Sequence, residues 1–137
     1  MNDKEKLSIL KQKNTQYPLK PENSELQVFD SPSDNDYMIE FETSEFTSLC
    51  PVTSQPDFAR IVIKYKPDKQ CIESKSLKLY LFSYRNYQGF AENIINRIMD
   101  DIVEISSPKE ACVTGYFTAR GGITLKVETV YNKERKI

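Results

Sequence analysis

Phe90, Ile94, Ile98, Ile102 and Ile105 bring an apolar side chain round to one side of successive turns through GFAENIINRIMDDIVEI. Spacings of three and four residues over that length predict a helix with one buried face, and Pro108 closes it. Such a helix needs a second layer for its stripe to cover. YMIEFET (37–43) and FARIVIKYK (58–66) supply candidates, because both alternate apolar and polar residues with the two-residue period of a half-buried strand. CVTGYFTA and ITLKVETVY predict two more strands around Arg120-Gly121-Gly122, a turn-like junction.

CIESKSLKLYLFSYRN reads two ways. Its Leu, Tyr and Phe suit a strand, yet Leu77, Tyr80, Leu81 and Tyr84 fall at i, i+3, i+4 and i+7 with Ser74 placed as N-cap, so a helix is favoured. The order becomes strand, strand, helix, helix, strand, strand. This is an α+β chain: a four-stranded antiparallel sheet with two helices on one face. The other face and two sheet edges stay uncovered, which favours closure into a larger barrel by neighbouring subunits.

Residues 1–35 mix Lys, Glu, Asn, Ser and Pro with few clustered apolar residues, the composition of an arm that cannot fold alone and is free to dock on a partner subunit. Residues 36–137 are expected to form one domain. Lys plus Arg number 19 against 20 for Asp plus Glu, a net charge of -1, so nucleic acid and anionic membrane are not expected partners. MNDKEKLSILKQKN lacks an apolar signal segment, and no run approaches the roughly 20 apolar residues of a membrane span; a cytoplasmic protein is expected.

Three cysteines, Cys50, Cys71 and Cys112, stand far apart without a CxxC or any histidine in the chain. A disulfide framework and a structural zinc site are disfavoured, and no metal is expected. Cys71 and Cys112 fall in or beside predicted elements and read as structural. Cys50 lies in FTSLCPVTSQPDFA, between two predicted strands, where reactivity is more natural than packing. A thiol needs a base or a positive field to become a nucleophile at neutral pH. Asp57 is the nearest carboxylate; it reads equally as the group that moves the thiol's proton and as a loop-capping aspartate after Pro56.

FTSLCPVTSQPDFA, then ESKSLKLYLFSYRN, then FAE at a helix start and TARGGI near the end resemble the NADPH-dependent 7-cyano-7-deazaguanine reductases, the short-form nitrile reductases of queuosine biosynthesis. The likeness runs from about Tyr37 to Ile123. It implies the tunnelling fold, whose element order agrees with the one above, and an assembly of two stacked pentamers with sites between subunits. It implies reduction of a nitrile to a primary amine with NADPH as cofactor: Cys50 adding to the nitrile carbon to give a covalent thioimide, and Asp57 supplying protons. Ile72, Glu73, Ser74, Ala91 and Glu92 would bind the small-molecule deazapurine.

Glu92 suits the N–H donors of a guanine-like ring; the plainer reading is an exposed acid in a first helical turn, where negative charge is favoured. No G-x-G-x-x-G follows a strand, so Lys75, Lys78 and Arg120 are the candidates for the NADPH phosphates. Ala91 and Ala119 depart from the resemblance, standing where histidine and proline are usual. Two alternatives differ in chemistry. A tunnelling-fold amidinotransferase would capture the nitrile of a modified tRNA base and transfer ammonia, and a non-catalytic homologue would bind deazapurine without an adduct.

Overall fold

The computed structural model describes residues 17–135. Its elements are β1 Val28–Asp30, β2 Ile39–Leu49, β3 Pro56–Lys66, β4 Gln70–Ile72, α1 Ser74–Phe82, α2 Ala91–Ser106, β5 Glu110–Arg120 and β6 Ile123–Asn132, with 3-10 turns at Asn23–Glu25 and Ser83–Asn86. Four strands pair antiparallel in the order β2-β3-β5-β6. The expected α+β sheet with two helices is therefore present.

Alternation decides which face the helices cover. Ile61, Ile63 and Tyr65 of β3 and Val113 of β5 are buried in one cluster with Ile94, Ile98 and Ile102 of α2. Each fully buried isoleucine contributes roughly 1.5–3 kcal/mol. Three of them outweigh the roughly 1 kcal/mol forgone because Phe90, the residue before α2, offers no capping side chain. Phe90 itself is exposed, so the buried stripe starts at Ile94 and gains Ile95 and Met99. Ile95 comes close to β5 only because position 115 is glycine: a Cβ there would lie 2.6 Å from Ile95 Cδ1. Ser107, left-handed at φ 45°, ends α2 before Pro108 and donates its N–H to Val103 O.

The opposite face carries Glu40, Glu42, Arg60, Lys64 and Tyr116. Arg60 pairs with Glu42 at 2.6 Å and lies 4.0 Å over the Tyr116 ring.

β2 runs past its expected end at residue 43 to Leu49. Its register with β3 slips by one between Thr43 and Phe46, so an extra residue moves the core-facing positions from Phe41 to Phe46 and Ser48. At the far side of the sheet, Gly121 (φ 57°) and Gly122 (φ 79°) make a two-residue hairpin turn between β5 and β6, a conformation that glycine adopts at no steric cost.

Part of the segment read as an arm packs on its own domain. Leu26 is buried in the core, β1 pairs with β4, and Arg97 on α2 donates to Pro21 O at 2.7 Å. Residues 1–16 lie outside the described residues. Tyr80 on α1 donates to Asp101 on α2 and meets the Tyr84 hydroxyl at 2.8 Å, tying the helices together. Among the described residues no helix is long and apolar enough to cross a membrane.

Candidate active site

Cys50 follows the last residue of β2, in the six-residue turn before β3, and is partly exposed. The turn closes on itself: Cys50 N–H donates to Gln55 O at 2.8 Å and Ser54 N–H to Cys50 O at 2.9 Å. Hydrogen bonds from the Thr53 hydroxyl, then from the backbone N–H groups of Thr53 and Val52, hold the Cys50 thiol below its ordinary range. Desolvation and the negative charge of Asp57 oppose them. The thiolate is thus favoured by donors of the turn itself, in a chain without histidine.

Asp57, the second residue of β3, pairs opposite Ser48. Its Oδ1 lies 2.6 Å from Arg120 Nη2, and the same guanidinium nitrogen donates to Pro56 O at 2.8 Å. The sheet order explains the meeting, since the start of β3 and the end of β5 share one end of neighbouring antiparallel strands. Arg120, grouped with Lys75 and Lys78 by the sequence reading, is bound here to the carboxylate beside the cysteine.

Segment 87–89 reaches the same end. Leu49 N–H donates to Tyr87 O at 2.9 Å and Gly89 N–H to Leu49 O at 3.1 Å, which lays the entry to α2, with Ala91 and the exposed Glu92 in its first turn, beside the residue preceding Cys50. Gln88 Nε2 also holds Ser54 Oγ at 3.0 Å. Gln88 and the donating role of Thr53 escaped the sequence reading, because polar residues in a turn carry no spacing signal.

The remaining residues stand elsewhere. Ile72 is 2 % exposed and sits in the core, its N–H donating to Tyr65 Oη at 2.8 Å. Glu73, not Ser74, is the N-cap of α1: its carboxylate accepts from Lys75 N–H at 2.8 Å and Ser76 N–H at 2.6 Å. Glutamate caps here because its oxygens reach both amides; partial burial raises its pKa, but those backbone bonds prevail and hold it below the ordinary value. Ser74 and Lys78 line a groove of about 470 Å³ between α1 and β2, floored by Phe41, Phe46 and Leu77. Neither Cys50 nor Arg120 lines it. Cys50, Asp57 and Arg120 therefore gather at the sheet end, while Ser74 and Lys78 face a separate groove along α1.

The α+β sheet, with Cys50 in the turn before β3 and Asp57 paired to Arg120, belongs to a class that both sequence and fold match. The family described as QueF-like protein matches residues 56–136, and the chain belongs to it. The particular relatives are NADPH-dependent 7-cyano-7-deazaguanine reductases. That of Streptococcus thermophilus is 52% identical over 130 residues, covering 94% of this chain and 78% of the relative. That of Bacteroides fragilis is 51% identical over 89% of this chain and 81% of its own; that of Neisseria gonorrhoeae is 49% identical over 93% and 82%. A solved structure described as the archaeosine synthase QueF-Like in the apo form superposes with a TM-score of 0.66 at 18% identity, over 71% of this chain and 95% of that one. At that identity it speaks for the fold alone.

Proposed function

We propose that the protein is an NADPH-dependent oxidoreductase that reduces the nitrile of 7-cyano-7-deazaguanine to 7-aminomethyl-7-deazaguanine, in tRNA queuosine biosynthesis. The observation that carries this reading is identity of about half to reductases of that name, with Cys50 in a turn whose donors lower its pKa and Asp57 close enough to act on it electrostatically.

The Cys50 thiolate adds to the nitrile carbon, one C–N π bond breaks, and the nitrogen takes a proton from the Asp57 carboxyl, which leaves a thioimide. NADPH, held by Lys75 and Lys78, would supply hydride, two per nitrile. After the first hydride reaches carbon, the C–S bond breaks and Cys50 leaves as thiolate, giving an imine. The second hydride and a further proton complete the amine. Over the cycle one nitrile, two NADPH and two protons become one amine and two NADP⁺. Arg120 orients Asp57, and the turn donors stabilise the sulfur's charge before attack and again on departure.

Glu92 and Ala91 at the start of α2, with the backbone around Ile72, Glu73 and Ser74, bind the deazapurine. The two groups of residues stand apart within one chain, so the complete site forms between subunits. The free edges β2 and β6, the latter with Ile123, Leu125 and Val130 exposed, close the sheet into a barrel of stacked pentamers. Residues 36–137, with Leu26 and β1 packed onto them, act as one catalytic domain in the cytoplasm. The amidine-forming alternative is not favoured, because relatives about half identical over most of the chain carry the reductase name.

Following NADPH absorbance after adding 7-cyano-7-deazaguanine tests the proposal. Oxidation of two NADPH per nitrile is expected, and absence of nitrile-dependent oxidation contradicts it.

A further inference from the structure

Ser48, two residues before Cys50, is fully buried, and its hydroxyl oxygen has no hydrogen-bond partner among the described residues. The bulge between Thr43 and Phe46 puts it there, since beyond that slip Phe46 and Ser48 take the core-facing places of β2. Burial is complete within one chain, so no neighbouring subunit is needed to close the position off. A buried hydroxyl without a partner is costly and uncommon, and a neighbour whose charge changes during reaction gives it a use.

Asp57 is that neighbour. Ser48 and Asp57 stand directly opposite each other in the β2–β3 register. Along β3 the buried residues are Ala59, Ile61, Ile63 and Tyr65, and the same alternation sets Asp57 on the core side, facing Ser48. Directly opposed residues of an antiparallel pair hold their Cβ atoms about 4.5–5.5 Å apart, a gap that a serine hydroxyl and a carboxylate oxygen close by rotating toward each other. Arg120 Nη2 takes Oδ1 at 2.6 Å, which leaves Oδ2 to carry the acid proton. Arginine can only donate, whereas a hydroxyl adapts to either form of the carboxyl group.

We propose that Ser48 is a positioning residue for the proton step: as the proton leaves Asp57 Oδ2 for the nitrile nitrogen, the Ser48 O–H turns and donates to that oxygen. The serine gains and loses no proton. Its bond is strongest to the charged carboxylate, so it favours the transfer over the resting acid. This inference rests on the reading that Asp57 supplies that proton.

Ser48→Ala deletes the hydroxyl alone. Because that hydroxyl is unpaired at rest, the variant is expected to unfold in urea at the wild-type midpoint or above it. Capture of 7-cyano-7-deazaguanine by the full chain without NADPH, followed over time by intact mass, is expected to slow about tenfold or more, with the half-saturating ligand concentration unchanged. Ser48→Thr keeps a hydroxyl and is expected to recover most of the rate. Capture by Ser48→Ala at the wild-type rate overturns the proposal. So does a Ser48→Ala chain that loses stability or fails to fold, because the hydroxyl would then be holding structure, and so does a folded Ser48→Thr as slow as Ser48→Ala. Wild-type capture that is indifferent to Ser48 rejects this inference alone; no capture by the wild type rejects the reductase reading and this inference with it.

Discussion

Arg120 Nη2 stands 2.6 Å from Asp57 Oδ1, joining the end of β5 to the strand that follows the cysteine turn. Both side chains are partly exposed, 43% and 24%, so the pair contributes only about 0.2–1 kcal/mol to folding. Its effect is geometric: it ties the Asp57 carboxylate to the end of β5, on the strand that follows the Cys50 turn. Arg120→Ala is therefore expected to lower the unfolding free energy in urea by no more than about 1 kcal/mol while reducing nitrile-dependent NADPH oxidation at least tenfold. Unimpaired oxidation would show that Asp57 needs no such orientation.

The turn donors predict a pH profile. An ordinary cysteine ionises near about 8.5; the Thr53 hydroxyl and the Thr53 and Val52 amides hold Cys50 lower. A lowered pKa means more thiolate at a given pH, so alkylation of Cys50 by iodoacetamide should reach its half-maximal rate below that of an unstructured cysteine. Thr53→Val should move the midpoint upward, though not all the way, because the backbone donors stay.

Glu73 provides a stability prediction. Its two carboxylate bonds cap α1, and removing a capping side chain costs about 0.5–2 kcal/mol. Glu73→Ala should lose that much in urea unfolding with no ligand present. A variant as stable as the wild type would free the carboxylate for substrate alone.

Tyr65 predicts the alkaline limit. Burial pushes its pKa up to about 12, against an ordinary 10.0. Because the folded value is the higher one, its contribution to stability is fully present below pH 10 and is lost as the pH rises toward 12. Urea stability should fall across that window, less steeply in Tyr65→Phe. That variant should also be about 1–3 kcal/mol less stable at neutral pH, since the Ile72 N–H loses its buried acceptor.

Long periods were legible in the sequence and short or interrupted ones were not. Ile94, Ile98 and Ile102 mark α2, and Ala59 to Tyr65 mark β3, because burial repeats for several cycles there. The second half of β2 was hidden by the bulge between Thr43 and Phe46, which breaks the alternation at the point where the strand continues toward Cys50. β1 and β4, three residues each, are too short to show a period; what holds them is their pairing, Val28 with Ile72 and Asp30 with Gln70.

Among the candidate site residues, Cys50 and Asp57 could be singled out in the sequence because chemistry and proximity coincide there. The partner of Asp57 depends on β3–β5 pairing, and a sequence pattern of one element does not reveal it. The N-cap fell one residue early for a related reason: Glu73 reaches two amides that the shorter Ser74 side chain was expected to serve.

The most direct measurement is the intact mass of the protein after incubation with 7-cyano-7-deazaguanine and no NADPH. The account predicts a species heavier by one ligand, mapped to the peptide containing Cys50 and absent from Cys50→Ala. An unmodified mass under those conditions, with the ligand present in excess, would contradict it.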